Sequence, residues 1–198
     1  MFTTLPFTTE PSESPSGNTS PITVVNTSNL FSTGLVNTGI NASGITYAIL
    51  LGENAGSGAT YVDASNFMGY NAGYGATYAD NSNFFGWSAG YLASGANQSN
   101  FIGQNAGNGA MDAWRSNFIG TQAGQGAINA TSSNFFGLSA GYGATNAYFS
   151  NFLGYLAGYQ ATDANFSNFI GREAGNGATS ASQSNFFGYD AGYAATNA

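Results

Sequence analysis

Cysteine and histidine are absent from this sequence, and Arg115 and Arg172 are its only basic residues. Without Cys and His the chain has no nucleophile of either type, no thiolate or imidazole metal ligand and no disulfide. Charged residues make up 6% of the chain and the net charge is −7, so phosphate backbones and anionic membranes are poor partners. We therefore expect no enzymatic activity, no cofactor or metal, no nucleic-acid partner and no membrane insertion.

Long apolar runs are also missing, since the longest one covers only residues 48–51. A run of this length is far too short to span a bilayer. The first residues lack the basic segment and the apolar segment of a secretory signal. We expect a soluble chain without a signal peptide, which would reach the outside of a cell by lysis or by a non-standard route.

Proline divides the chain into regions, because all four prolines lie within residues 1–21, among Thr, Ser and Glu. This composition predicts an extended arm without a core of its own. Residues 22–47 alternate β-branched residues with turn-forming residues, which predicts an irregular β lead-in or attachment region. Residues 48–198 form the third region, and they are repetitive.

The repeat has a period of 17 residues and contains no insertion or deletion. Its first copy, at residues 48–64, is degenerate, as terminal repeats usually are. Eight closer copies begin at Ser65, Ser82, Ser99, Ser116, Ser133, Ser150, Ser167 and Ser184. They share the frame S-N-F-h-G-x-x-A-G-x-x-A-x-x-A-x-x, where h is Met, Phe, Ile or Leu. We number the positions of this frame as slots 1 to 17 and the copies as coils 1 to 9.

The frame predicts an all-β solenoid, or β-roll, of nine 17-residue coils. Its apolar residues lack a helical spacing, and each glycine costs a helix about 1 kcal/mol relative to alanine. In a solenoid the coils stack about 4.8 Å apart through parallel ladders, with S-N-F-h-G as the strand. Glycines at slots 5 and 9 then occupy corners that a Cβ atom forbids, and alanines at slots 8, 12 and 15 fill a narrow interior. Stacked Asn66, Asn83, Asn100 and their equivalents predict an amide ladder.

Slots 3 and 4 are adjacent and are apolar in all eight closer copies. Neighbours on a strand point to opposite faces, so one of the two columns must be covered from outside the coil. An exposed apolar stripe of this height is rare in monomers, which favours association of chains around a common axis. The alternative is a wide monomeric coil that encloses both columns. The predicted core and oligomer contacts are Phe67, Phe84, Phe85, Phe101, Ile102, Phe118, Ile119, Phe135, Phe136, Phe152, Leu153, Phe169, Ile170, Phe186 and Phe187.

Aromatic residues also recur at slots 6 and 10. They could stack on sugar rings, or they could pack at corners and between chains. The candidate glycan contacts are Tyr74, Trp87, Tyr91, Tyr142, Tyr159 and Tyr193. Copies with Ile at slot 4 carry Asn or Gln at slot 10, and the other closer copies carry Tyr there. This correlation favours packing and predicts that slots 4 and 10 touch within a coil or across an interface. Thr at slot 13 suggests ice binding only weakly, because Ser94, Met111 and Ile128 interrupt it.

The stretches SNFIGQNAGNGA and SNFFGLSAGYGAT resemble the Gly/Ala repeats of trimeric autotransporter adhesin (YadA-like) heads and of phage tail-fibre proteins. The resemblance covers residues 48–198. It implies an intertwined homotrimeric shaft that provides reach, stiffness and attachment, and it implies no catalytic residues. The sequence shows neither the secretion signal nor the C-terminal membrane segment of the autotransporters, which favours the phage fibre.

We therefore expect the shaft and N-terminal attachment part of a phage tail or virion fibre used in host attachment. Residues 1–47 would join it to the larger assembly, at the virion surface or in the extracellular space. A self-assembling extracellular or biofilm filament is the first alternative, and a glycan-binding or ice-binding repeat protein is the second. No capping segment follows coil 9, so we expect either a longer fibre or an end that is itself a joint.

Overall fold

A computed structural model of the chain describes residues 48–197, which contain nine parallel strands and no helix. The strands are β1 Ile49–Leu51, β2 Asn66–Met68, β3 Asn83–Phe85, β4 Asn100–Ile102, β5 Asn117–Ile119, β6 Asn134–Phe136, β7 Asn151–Leu153, β8 Asn168–Ile170 and β9 Asn185–Phe187. They form one sheet in the order β1 to β9, and each residue pairs with the residue 17 positions later, as Phe67 does with Phe84. The predicted solenoid is confirmed, although each strand covers only slots 2 to 4. The predicted arm and lead-in lie outside the described residues.

Backbone hydrogen bonds join the coils beyond the sheet as well. A second line of parallel bridges runs along slot 13, from Thr60 to Thr196. Residues at slots 5, 7 and 11 donate to the preceding coil, as Gly69 does to the carbonyl of Leu51 at 2.8 Å. Residues at slots 2, 9 and 13 donate to the following coil, as Gly73 does to the carbonyl of Ala89 at 2.8 Å. Each inner coil is therefore hydrogen-bonded both to the preceding coil and to the following coil.

Three overlapping turns bring the chain from the sheet back along the opposite wall. The N–H groups of slots 8, 10 and 12 donate to the carbonyls of slots 5, 7 and 9, at 3.2, 3.1 and 3.1 Å in coil 2. The third residue of each turn has a positive φ, which is 54° at Asn71, 63° at Gly73 and 62° at Gly75. A positive φ at this position is the signature of a type II turn. Glycine at slot 9 and Asn at slot 7 suit this backbone, since both tolerate the left-handed region.

The interior consists of one Phe, three Ala and one Ser from each inner coil. The Phe side chains of slot 3 are fully buried from Phe67 to Phe169, and Phe186 is partly buried. Consecutive rings stack at 4.6 to 4.9 Å between centroids, which is the spacing of the coils themselves. The alanines of slots 8, 12 and 15 are buried in every inner coil, as predicted.

Two glycine columns leave room for close approaches, and the predicted corners at slots 5 and 9 are confirmed. At slot 9, Gly124 has a φ of +61°, and a Cβ there would lie 2.5 Å from a ring carbon of Phe118. At slot 5, Gly120 has a φ of +135°, and a Cβ there would lie 2.7 Å from the carbonyl carbon of Gly137. Slot 9 therefore admits the core ring, while slot 5 admits the backbone of the next coil.

A buried serine column at slot 1 links each coil to the next. The hydroxyl of Ser116 accepts the N–H of Ser133 at 3.1 Å and donates to the carbonyl of Ala130 at 2.6 Å. Equivalent pairs of bonds are made by Ser65, Ser82, Ser99, Ser133, Ser150 and Ser167. The serine thus satisfies a buried N–H and a buried carbonyl that would otherwise lack partners.

Candidate functional site: the outer face of the sheet

Slots 2 and 4 form the outer face of the nine-stranded sheet, because alternate strand residues share a face. The asparagines of slot 2 make the predicted amide ladder along it. Each Nδ2 from Asn66 to Asn168 donates to the Oδ1 of the next asparagine, at 2.7 to 2.8 Å. The ladder confirms the prediction, and it fixes the register of neighbouring coils.

We expect Asn117→Ala to lower the free energy of unfolding by about 1–3 kcal/mol, because it removes two hydrogen bonds, each with a net contribution of about 0.5–1.5 kcal/mol. Asn117 accepts from Asn100 at 2.7 Å and donates to Asn134 at 2.8 Å. Asn185→Ala is the matched control, since Asn185 accepts one bond of the ladder, from Asn168. Its effect should be about half as large when both variants are unfolded in urea. No loss in either variant would mean that the ladder does not stabilise the stack, and equal losses would mean that the effect does not follow the number of ladder bonds removed.

The apolar residues of slot 4 form a column beside the ladder. Ile102 and Phe136 are each 37% exposed, whereas their strand neighbours Phe101 and Phe135 are fully buried. Slots 3 and 4 therefore face opposite sides of the wall, and residues 48–197 do not enclose both columns in one coil. The whole column is Leu51, Met68, Phe85, Ile102, Ile119, Phe136, Leu153, Ile170 and Phe187.

This outer face is narrow, long and uncharged. Three residues at about 3.3 Å and nine strands about 4.8 Å apart give a face of about 10 by 40 Å. Slots 2 and 4 contain no charged residue in any of the nine coils. A face of this kind can bind another apolar surface, but it offers no group for acid–base or nucleophilic chemistry.

The predicted aromatic columns form stacked pairs. At slot 10, Tyr74 stacks on Tyr91 at 5.2 Å and Tyr142 stacks on Tyr159 at 5.1 Å, and these rings are half-buried. Tyr193, in the last coil, is exposed. Glycan binding by these tyrosines stays a prediction, and so does the contact between slots 4 and 10.

Slot 6 carries more exposed aromatic residues. Trp87, one of the predicted glycan contacts, is exposed and lies 4.7 Å from the ring of Tyr70 at a tilt of 41°. Arg172 lies over two rings, at 5.5 Å from Tyr155 and 5.2 Å from Tyr189. These contacts join slot 6 side chains of neighbouring coils.

Exposed aromatic pairs at slots 14 and 17 were not predicted. Tyr61 and Tyr78 occupy slot 14, while Phe149 and Phe166 occupy slot 17. All four have a positive φ and are at least half exposed. The sequence does contain a signal for these pairs, because slots 14 and 17 hold mainly small or polar residues in the other coils and an aromatic residue there is unusual.

Other chemistry is sparse in the described part of the chain. No group of three or more His, Cys, Asp or Glu residues within residues 48–197 could hold a metal ion. No helix in this range is long and apolar enough to cross a membrane. Arg172 and Glu173 form an ion pair at 3.2 Å on the surface.

Comparison of the sequence with protein-family models and with curated proteins gave no match. The fold and the outer face define the chain as a parallel β-solenoid repeat protein whose uncharged sheet face carries an apolar column beside an asparagine ladder. The predicted homotrimer and virion location stay predictions.

Proposed function

We propose that the protein is a structural fibre subunit whose solenoid forms the shaft and whose chains associate, three around a common axis, through the outer sheet face. One observation carries this proposal. The apolar column of slot 4 runs along all nine strands and is left partly exposed by residues 48–197. Soluble proteins rarely expose a continuous apolar stripe unless it binds another surface.

Further copies of the same chain suit this face well. A second copy has the same coil spacing, so a parallel partner presents an equivalent side chain at the height of each slot 4 residue. The absence of charge on slots 2 and 4 also means that no counter-charge is required. Stacked parallel strands with matched side chains are known to form tight, dry interfaces of this kind.

The outer face alone is too small to hold a stable pair of chains. It offers about 400 Å² per chain, whereas a standard stable interface buries about 800 Å² per partner. A threefold arrangement divides the same face between two neighbours, so the slot 6 side chains beside the face must supply further contact area. The choice of three chains rests on the resemblance of the repeat to trimeric fibre shafts.

The proposed role is mechanical. Hydrogen bonds along both walls of the solenoid give stiffness, and the number of coils sets the length of the shaft. Residues 1–47 would attach the shaft to a larger assembly, which we propose to be a phage tail or another virion fibre used in host attachment. Electron microscopy of the purified protein should then show discrete short rods. Fibrils of indefinite length would support a self-assembling filament instead.

The association is tested by a triple variant of slot 4, Ile102→Thr, Ile119→Thr and Phe136→Thr. Threonine suits a strand but lacks the apolar area of the original side chains. We expect the wild-type particle to have three times the chain mass of 20.2 kDa, and we expect the variant to dissociate to single chains. Sedimentation equilibrium measures both masses, and circular dichroism checks that the fold is retained.

The matched control is Met111→Thr, Ile128→Thr and Leu92→Gln, which removes three apolar side chains from slots 13 and 11. Both slots naturally hold these polar residues in other coils, at Thr145 and Gln160. This control should keep the wild-type mass. A monomeric wild-type protein would contradict the proposal, and so would a slot 4 variant that remains associated.

A further inference from the structure

Slot 17 carries two phenylalanines that a folding requirement does not explain. Phe149 and Phe166 have φ values of +56° and +55°. This left-handed backbone is unfavourable for bulky side chains. The other described coils place Ala64, Asn81, Gln98, Arg115, Ser132 and Gln183 at the same slot.

Burial does not compensate for this backbone. Phe149 is 53% exposed and Phe166 is 50% exposed, so each side chain keeps about half of its surface in water. The hydrophobic gain is correspondingly partial, and the left-handed backbone opposes it. Every described residue of slot 17 has a positive φ, so the coil sets this backbone, and it is the choice of two half-exposed phenyl rings there that points to a binding role.

The rings form a small platform with a wall. Phe149 and Phe166 stack at 5.3 Å with an angle of 7° between their planes. Tyr148 meets them edge-on, at 6.0 Å from Phe149 and 5.4 Å from Phe166. Each phenyl ring covers one face of the other and keeps one free face. The position of that free face is fixed before any ligand arrives, which lowers the entropy cost of binding.

A row of neutral polar groups borders the platform at slot 16. Asn165 donates from Nδ2 to the hydroxyl oxygen of Tyr148 at 2.6 Å, and the hydroxyl of Ser182 bonds to Oδ1 of Asn165. Because the Tyr148 oxygen accepts a bond, its own hydrogen can be donated outward, and Asn165 has a second N–H. Slots 16 and 17 carry no charged residue in coils 5 to 8.

We propose that Phe149, Phe166, Tyr148 and Asn165 form a binding platform for a neutral sugar ring of a glycan. The C–H face of a pyranose would lie on the free face of one phenyl ring of the stack, and its hydroxyls would bond to Tyr148 and Asn165. Slots 16 and 17 of coils 5 to 8 offer no opposite charge to an anionic or cationic ligand. The platform is open, so each site binds weakly, and several copies on one particle would add avidity.

The test compares two double variants on an array of neutral hexose and N-acetylhexosamine oligosaccharides, using the full chain. Phe149→Asn with Phe166→Asn removes the platform, and it should fold because Asn81 occupies slot 17 with a φ of 55°. Tyr61→Asn with Tyr78→Asn is the control. It removes another stacked pair of exposed rings, 4.9 Å apart, from slot 14, where Asn129 has a φ of 53°.

We expect the wild type to bind at least one array glycan and the platform variant to bind that glycan at least about tenfold more weakly. The control should stay within about twofold of the wild type. Tyr148→Phe keeps the ring but removes the hydroxyl, so its loss should be intermediate.

Three outcomes would overturn the proposal. The first is a wild type that binds no neutral glycan, and the second is equal binding by the wild type and the platform variant. The third is a platform variant with a changed particle mass beside a control of unchanged mass, because the rings would then be a contact between chains. The masses of the slot 4 variants are a separate measurement, so this proposal and the shaft proposal can fail independently.

Discussion

Gly124→Ala should lower the free energy of unfolding by about 2–5 kcal/mol, whereas Gly126→Ala, in the same coil, should cost about 1 kcal/mol. The two glycines have nearly the same backbone, with φ values of +61° and +67°. Their surroundings differ. A Cβ on Gly124 would overlap the ring of Phe118, while a Cβ on Gly126 would meet nothing within 4 Å. The comparison therefore separates the clash with the core ring from the cost of the left-handed backbone.

The natural residues at slot 11 support the smaller effect at Gly126. Leu92, Gln160 and Ala194 occupy this slot with φ values of 53°, 52° and 52°. Slot 9, in contrast, is glycine in every coil. Slot 9 therefore tolerates no side chain, while slot 11 accepts several.

Urea unfolding followed by circular dichroism measures both glycine variants. A stack of repeats need not unfold all at once, so amide hydrogen exchange should be recorded as well. Gly124→Ala should speed exchange mainly in coils 4 to 6, which surround the displaced ring. Equal unfolding midpoints for the two variants would show that the ring clash is relieved by a small shift of the coil.

Much of the fold could be predicted because each coil meets the same constraint. Strand geometry alone places Asn66 and Met68 on one face and Phe67 on the other, and the burial of Phe67 shows that its face is the core. The glycines of slots 5 and 9 are invariant among the coils, which marks them as positions where a Cβ does not fit.

The serine column could not be predicted in the same way. Serine is usually a surface residue, yet Ser116 is fully buried. Its hydroxyl has a partner only because parallel stacking places the N–H of Ser133 beside it. Such a partner depends on the spacing between coils, and no local sequence pattern records that spacing.

The left-handed backbone of the variable slots could not be predicted from the sequence either. Tyr78, Gln98 and Phe149 have positive φ values that their residue types disfavour. Tyr78 and Gln98 donate their N–H groups to the preceding coil, as Phe149 does to the carbonyl of Thr131 at 2.9 Å. Bonding between coils thus overrides local preference. The platform at slot 17 becomes visible only when this backbone is known. Adjacency alone predicted that one of slots 3 and 4 lies outside the coil, and the structure assigns slot 4 to that place.

The adjacent phenylalanines of β6 test whether the inner face stabilises the fold of one chain while the outer face stabilises the association of chains. Phe135→Ala should lower the free energy of unfolding by about 3–5 kcal/mol, as expected for a large buried side chain. Phe135 is fully buried between Phe118 and Phe152, with ring centroids 4.7 Å away on both sides. Its loss would interrupt the ring stack and weaken the contact between coils 5, 6 and 7.

Phe136→Ala makes the same chemical change one residue later, on the outer face. In a single chain it should cost about 1 kcal/mol, because the ring is already 37% exposed. Its larger effect should fall on association. Unfolding midpoints measured over about a hundredfold range of protein concentration separate the two effects, since association makes the midpoint depend on concentration.

Phe135→Ala should lower the midpoint and keep its dependence on concentration, whereas Phe136→Ala should weaken that dependence. If Phe136→Ala instead destabilises the protein as strongly as Phe135→Ala and leaves the dependence unchanged, the outer column serves the fold of one chain. The proposed shaft would then lack its interface.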